Sequence, residues 1–300
     1  MIKKLLVAVT LCVASVVSGF AQTRTIEHEY SEFTSVVASN GFHVNLVKDD
    51  IYATRLTVDD ALESYVQCYV KAKTLYIGLD EKSIPKDLKK SYKGKNTSDP
   101  TLVVTVYAPS INALTLSSDA NFSANFTISV PTFDLNLADN CSVENLSIDA
   151  PKSVNLTISK KAKMSSLDIK TGRLEVSASG NGIITGQISV DALSVISTNS
   201  AEVSFTGNMK NSEINASGSS KILLTGRGDK LAVSGKGVSA KVDASGLSVD
   251  EATVDVAGLS VSLNADKSIE LNLEKASEVQ YSGDPDIEIV KVLNSSITRK

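Results

Sequence analysis

Residues 174–199 read LEVSASGNGIITGQISVDALSVISTN, and this stretch decides the fold. Apolar and polar side chains alternate in LEV at 174–176 and again in LSV at 193–195, 19 residues later. Alternation with a period of two is typical of a β-strand that buries one face. The SGNG segment at 179–182 between them is rich in residues that tolerate tight turns with positive φ. The stretch therefore predicts one winding of a β-solenoid.

The same pattern recurs every 19 to 21 residues over most of the chain. The predicted repeats begin at Leu114, Phe133, Val154, Leu174, Leu193, Ser212, Leu231, Ala252 and Leu271. A fixed period of this length, combined with strand-type patterning, indicates a β-solenoid of about 20 residues per coil. The first and third side chains of each repeat are expected to point inward and to stack into an aliphatic column. At ~4.8 Å per coil, nine coils predict a rod of roughly 40 Å.

The seventh position of each repeat predicts a corner. These positions are Ala120, Asp139, Lys160, Gly180, Asn199, Gly218, Gly237, Gly258 and Ser277. Most are Gly, Asn, Asp or Ser, which suit tight turns. A second apolar segment follows the corner, and a third appears in some coils, including Ile148, Ile169 and Val249, so three short strands per winding favour a three-faced coil. Thirteen of the 17 glycines lie at or beyond Gly172, which we interpret as a change in corner chemistry along the rod.

The region before the repeats predicts short strands that cover one end of the rod. They are expected at 33–37, 42–47, 52–58, 65–70, 75–79 and 102–107, with a single helical turn at 59–64. Residues 22–110 would form a cap or irregular first coils, and 111–300 the coils with a C-terminal cap around 287–292. We expect 22–300 to be one continuous domain. The lysines between 82 and 95 are interpreted as part of a solvated loop.

The N-terminus has the features of a secretory signal peptide. Lys3 and Lys4 precede an apolar stretch at 5–17, which is too short to span a bilayer, and small residues follow. Cleavage after Ala21 would remove both lysines and no acid, so the net charge would change from −4 to −6. This acidity argues against a nucleic-acid partner. Cys68 and Cys141 would remain, and either a disulfide between them or burial as free thiols is open.

The serine-glycine corners also carry a family resemblance. SGNG at 179–182, SGSS at 217–220 and SGKG at 234–237 recur in phase with the strands, GFHV at 41–44 lies near the start, and YSGDP at 281–285 near the end. Together they resemble the family of exported bacterial proteins described as "putative auto-transporter adhesin, head GIN domain". The likeness covers residues 30–295. It implies a right-handed single-stranded β-helix and a role in adhesion at the cell envelope, and it supplies no catalytic residues.

The sequence offers no convergent set of catalytic or metal-binding residues. The two histidines, His28 and His43, are expected in a flexible start and on an outward position, and no GxSxG motif or metal-ligand spacing is present. The alternative is a polysaccharide lyase or glycosidase, because many right-handed β-helices are such enzymes. Glycoside hydrolysis needs two carboxylates ~5–10 Å apart. The outward acids Asp134, Glu175 and Glu213 share one ladder, but they lie a coil or more apart with no arginine or tryptophan beside them.

We therefore expect an all-β, non-catalytic protein that is exported to the periplasm or outer surface of a Gram-negative bacterium. It would need no cofactor, and no transmembrane segment is predicted in the mature chain. Its flat outward faces are rich in Ser, Thr, Asn and Asp, which hydrogen-bond sugar hydroxyls or peptide backbone. The expected partner is an envelope polysaccharide or a host or cell-surface component. No ligand-binding residue, ligand or oligomeric state follows from the sequence.

Overall fold

The computed structural model describes residues 22–92, 99–237 and 239–300. The chain is 67% strand and 4% helix and winds into a β-solenoid of about 10 turns of roughly 19 residues. The all-β solenoid predicted from the repeat is thus confirmed. The predicted signal peptide at 1–21 lies outside the described residues.

Seven strands and two short helices precede the first predicted repeat. They are β1 (Thr23–Glu29), β2 (Ser35–Ala38), β3 (His43–Lys48), β4 (Ala53–Asp59), a 3-10 helix (Asp60–Tyr65), β5 (Val66–Lys71), β6 (Thr74–Leu79), α1 (Lys86–Ser91) and β7 (Leu102–Ala108). All six predicted strands and the helical turn are present. The sequence did not predict β1, which contains His28, or α1, which lies where a solvated loop was expected.

The remaining strands form the windings. They are β8 (Ala113–Leu116), β9 (Asn121–Ala124), β10 (Ile128–Ser129), β11 (Thr132–Leu137), β12 (Ser142–Glu144), β13 (Ser147–Ile158), β14 (Lys163–Ala178), β15 (Ile183–Ser197), β16 (Glu202–Ser217), β17 (Lys221–Arg227), β18 (Lys230–Lys236), β19 (Lys241–Ala257), β20 (Ser260–Glu274), β21 (Glu278–Ser282), β22 (Asp286–Val292) and β23 (Ser296–Arg299). The longer ones bend around corners, so one strand contributes to more than one face.

Parallel pairing between successive windings stacks like residues in the interior. Leu174 pairs with Leu193, and Ser212 separates Leu193 from Leu231 in the same column. All four side chains are buried, with the three leucines at most 2% exposed. Removal of these aliphatic side chains from water is the main stabilising contribution, at roughly 25 cal/mol per Å² of apolar surface. The predicted dry column is therefore confirmed.

Each winding presents three faces to solvent. The first face is formed by the strand segments around Val176 and the residues paired with it on the neighbouring windings. The second face is formed by the segments around Ile184 and its paired residues. The third contains Ile169, Ile188 and the residues in register with them. The three-faced coil predicted from the apolar segments is what this pairing produces. The third face positions the candidate site described below.

The register at the two ends differs from the predicted repeat by two residues. Leu114 pairs with Leu135 rather than with Phe133, and Ala252 pairs with Ile269 rather than with Leu271. The alternation has a period of two, so a shift by two residues keeps every side chain on its predicted face.

At both ends the turns also lie at other residues than predicted, because the register differs. The predicted corners Ala120 and Ser277 are buried, and positive φ instead occurs at Ser118 and Asp119 and at Lys275 and Ala276. The seven predicted corners from Asp139 to Gly258 all have positive φ, as predicted.

The N-terminal strands continue the stack and then change its direction. β2 and β3 pair in parallel with β8 and β9 and so extend the first and second faces. Beyond them the pairing becomes antiparallel, with β5 against β6, β4 against β7 and β1 against β4. At the other end, β22 and β23 form a last partial winding on β20 and β21. The domain boundaries drawn from the sequence stay predictions.

Candidate binding groove

A long groove follows the third face across successive windings. It has two adjoining lobes of about 940 and 520 Å³ that share Asp149, Lys170, Ser189 and Asn208. These four side chains occupy one outward row, since Asp149 pairs with Lys170, Lys170 with Ser189 and Ser189 with Asn208. We call this feature the third-face groove. It continues through Arg227 and Ser248 to Asp266.

Two stacked glycines lie on the strands beside this groove. The inward column of Ile148, Ile169 and Ile188 continues through Gly207 and Gly226, which pair with each other. Both glycines have positive φ, of 139° and 130°. A Cβ atom on Gly207 would overlap the carbonyl oxygen of Ile188, and one on Gly226 would overlap that of Gly207. A side chain at either position is therefore excluded by the neighbouring winding, and this face has no inward side chain at Gly207 or Gly226.

The middle of the groove is lined by uncharged hydrogen-bonding side chains. Gln187 and Thr206 form one row, with Ser189 and Asn208 in the next, and all four are exposed. Because these side chains alternate with the glycines and buried aliphatics along each strand, they all point out of this face. Hydroxyl and amide groups at a repeat of ~4.8 Å can donate to and accept from an extended polar chain.

The charged residues of the groove are mostly acidic. The lining carries six carboxylates and three cations, namely Asp149, Asp168, Asp191, Asp229, Asp250, Asp266, Lys170, Lys210 and Arg227. This excess of negative charge disfavours a polyanionic ligand. The net negative charge of the whole chain argued against a nucleic-acid partner. The lining of the groove is also net negative, so the same argument applies there.

Ion pairs neutralise part of the corner beside the groove. Lys210 contacts Asp191 at 2.5 Å, and Lys267 contacts Asp250 at 2.7 Å. Hydrogen bonding to these carboxylates raises the pKa of both lysines, so the ammonium groups stay charged. Arg227 has no carboxylate within ion-pair distance among the described residues, which leaves its guanidinium available to a ligand.

The outward acids singled out in the sequence lie elsewhere. Asp134, Glu175 and Glu213 are on the first face, in one ladder that includes Asn155 and Ser194. Successive acids are two windings apart, about 10 Å at the usual strand spacing. Contrary to expectation, Glu175 has an arginine partner, Arg173, at 2.6 Å.

The carboxyl groups with a displaced pKa all have it lowered by a hydrogen bond. Hydrogen bonds from Ser83, Lys160 and Lys291 lower the pKa of Asp80, Asp139 and Glu274, respectively. A glycosidase acid requires a raised pKa.

His43 is exposed, as expected, and His28 lies in β1. Within residues 22–92, 99–237 and 239–300 no three His, Cys, Asp or Glu side chains are grouped to hold a metal ion.

The two cysteines are free thiols in this structure. Cys68 lies in β5 near the N-terminal end, where it accepts a hydrogen bond from the Tyr30 hydroxyl at 3.2 Å. Cys141 is fully buried in the second face, and burial raises its pKa to about 11. Of the two alternatives left open by the sequence, the structure has the free thiols.

Sequence reasoning missed the groove, although a signal was present. The glycine-rich second half of the chain was attributed to corners, and this interpretation is wrong for Gly207 and Gly226. Both occupy inward positions of a face, where apolar side chains are expected. The missed signal is the presence of two glycines at successive inward positions of one face.

Comparisons with known proteins place the chain in one family. The family model described as "Putative auto-transporter adhesin, head GIN domain" matches residues 32–187 and 183–285. The crystal structure of a putative lipid binding protein from Parabacteroides distasonis ATCC 8503 is 20% identical, with a TM-score of 0.50, and the match covers 93% of this chain and 96% of that one.

A second similar structure, of a putative adhesin from Parabacteroides merdae ATCC 43184, is 17% identical with a TM-score of 0.48, covering 94% and 98%. At these identities the likeness concerns the fold alone. A search of curated protein sequences found no match. Among the described residues, no helix is long and apolar enough to cross a membrane.

Proposed function

The chain belongs to the family described as "Putative auto-transporter adhesin, head GIN domain", and on that premise we propose that it is an exported, non-catalytic module that binds a polysaccharide of the cell envelope. The third-face groove is the proposed binding site. A family of adhesins supports a role in surface binding, and the groove supplies a polar track of matching shape. The right-handed winding and the signal peptide cleaved after Ala21 are parts of the same proposal.

The observation that carries the proposal is the row of neutral polar side chains along the groove. Gln187 and Ser189 on one winding stack on Thr206 and Asn208 of the next, and Gly207 lies between Thr206 and Asn208. An extended carbohydrate presents hydroxyl groups along its length and can come close to a backbone without side chains. The net negative lining favours an uncharged polysaccharide over an acidic one.

The same geometry supports a role without catalysis. The acids of the first face lie on an exposed ladder, and two of the groove acids, Asp191 and Asp250, are partners of lysine. Hydrolysis requires one protonated and one ionised carboxyl across the bond to be cleaved. The competing function is a lyase or glycosidase of β-helix type. Such an enzyme would release shorter products from the polysaccharide, and a binding module would not.

A glycan array tests the binding. Protein purified from cells that express the full chain is expected to bind neutral polysaccharides and to leave their chain length unchanged. Asn208→Ala should weaken binding about threefold to tenfold, because it removes one amide that donates and accepts hydrogen bonds. The matched control is Asn215→Ala, an equally exposed asparagine on the first face. Equal losses in the two variants, or polysaccharide shortening, would contradict the proposal.

Export is tested separately. Expression of the full chain in a Gram-negative host, followed by fractionation and mass spectrometry, should give a periplasmic or surface protein that begins at Gln22. An unprocessed protein retained in the cytoplasm would contradict the proposed location, whatever the glycan array shows.

A further inference from the structure

Exposed apolar side chains gather on the last winding. Eight large hydrophobic side chains are exposed in the part of the chain that the structure describes, and four of them are Ile287, Ile289, Val290 and Leu293. Ile287 and Ile289 pair with Ile269 and Leu271 of the preceding winding, which are at most 1% exposed. The last winding therefore carries interior-type residues that no further described winding covers.

The open edge of β22 adds unpaired backbone groups to this surface. On one side β22 pairs with β20, and no other described strand pairs with it. An exposed strand edge next to apolar side chains favours pairing with another strand. The side chains of β22 allow the choice of that strand to be argued.

The register divides β22 into inward and outward positions. Ile287, Ile289 and Val292 align with buried residues of β20 and belong to the interior. Glu288 and Lys291 align with Glu270 and Asn272 and point outward. Val290 is the extra residue of an irregularity between these two parts, because Ile289 pairs with Leu271 and Lys291 with the next residue of β20.

We propose that β22 pairs antiparallel with β22 of a second copy of this chain, about a two-fold axis between Ile289 and Val290. Directly opposed residues in an antiparallel pair point to the same face. This register places Ile287 opposite Val292 of the partner subunit, which joins the two interiors. It also places Glu288 opposite Lys291 of the partner subunit, and the symmetry repeats that pair.

Charge complementarity selects a second copy over an unrelated strand. Charged residues on a strand edge usually prevent association, because like charges meet when copies approach. Here the two edge charges are opposite in sign and exchange places under the two-fold axis, so self-pairing brings Glu288 to Lys291 of the partner subunit, whose ammonium also contacts Glu274 of its own chain. A one-residue shift of the register would place Ile287 opposite Lys291 of the partner subunit and bury a charge against the interior.

Analytical ultracentrifugation of the purified protein over a range of concentrations tests the dimer. The wild-type protein is expected to show a monomer–dimer equilibrium. Glu288→Lys places two like-charged pairs across the axis and should raise the dissociation constant at least about tenfold. The monomer should keep its stability, because the new lysine lies beside Glu270. Lys291→Glu should weaken the dimer similarly, and it also removes the ion pair with Glu274 within the chain. Mixing the two variants should restore the dimer as a heterodimer.

A second pair of variants tests the apolar contact. Val290→Asp should abolish the dimer, whereas Ile196→Asp, at a comparably exposed position on the first face, should leave it unchanged; the two wild-type side chains are 59% and 52% exposed. Circular dichroism confirms that each variant is folded. A wild-type protein that stays monomeric at its highest soluble concentration overturns the proposal. So does a dimer that withstands Glu288→Lys, or one that Ile196→Asp weakens as much as Val290→Asp.

Discussion

Gly207 illustrates how a single residue shapes the surface. At this position the chain has positive φ and passes so close to the winding below that a Cβ atom would overlap the carbonyl oxygen of Ile188. An alanine there has to displace the backbone as well as adopt a disfavoured conformation. The close approach of the two windings thus depends on the absence of a side chain.

Gly207→Ala is expected to lower the free energy of unfolding by about 2–4 kcal/mol, because strain of the backbone and steric overlap add. The control is Gly41→Ala, where φ is also positive at 75° but a Cβ would have nothing within 4 Å. That change should cost only about 1–2 kcal/mol of conformational strain. Urea denaturation measures both. Equal losses would show that the close approach at Gly207 contributes nothing.

At the level of the strand, alternation decides which substitutions the fold tolerates. Leu193→Asp places an unpaired charge in the buried column and should destabilise the protein by roughly 4 kcal/mol or more, enough to unfold the solenoid. Glu175→Ala removes only the exposed pair with Arg173, whose side chain is 62% exposed, and should change stability by less than about 0.5 kcal/mol. Thermal unfolding monitored by circular dichroism checks both, and a similar loss in the two variants would mean that the faces are assigned wrongly.

The strands also show what the sequence determines and where it fails. Period-two alternation predicted the facing of Leu174 and Leu193 correctly, because burial on one face constrains every second residue. It could not determine the register of Leu114 or Ala252, since a slip of two residues conserves the alternation. Only the corners distinguish such registers, and at both ends the left-handed corner residues include Lys275 and Ser118, which have no special preference for positive φ.

The site was harder to predict than the fold. The polar residues of the groove, such as Gln187 and Asn208, have the same composition as those on the other outward faces. What distinguishes them is that Gly207 and Gly226 are stacked at inward positions of the same face. That stacking follows from the pairing of two windings and is visible only when the correct register is known.

At the scale of the whole molecule, a dimer joined through β22 would carry two third-face grooves and so be divalent. The proposed two-fold axis is perpendicular to the first face, so the first faces of two copies form one continuous surface. The third-face grooves then lie on opposite flanks of the dimer. Two binding sites joined in this way would hold separate polysaccharide chains, and attachment to a surface that displays many chains would gain from the linkage.

The length of the groove sets the last prediction. From the winding of Asp149 to that of Asp266 there are six steps, which amount to roughly 29 Å at ~4.8 Å each. If a polysaccharide lies along this track, each added sugar unit contacts a further row until the ligand spans the groove. Calorimetric titration with oligosaccharides of increasing length should therefore show affinity that rises and then levels off near this span. A disaccharide that binds as tightly as the longest oligomer would mean that one winding holds the ligand and that the repeated row of polar side chains only keeps the surface hydrated.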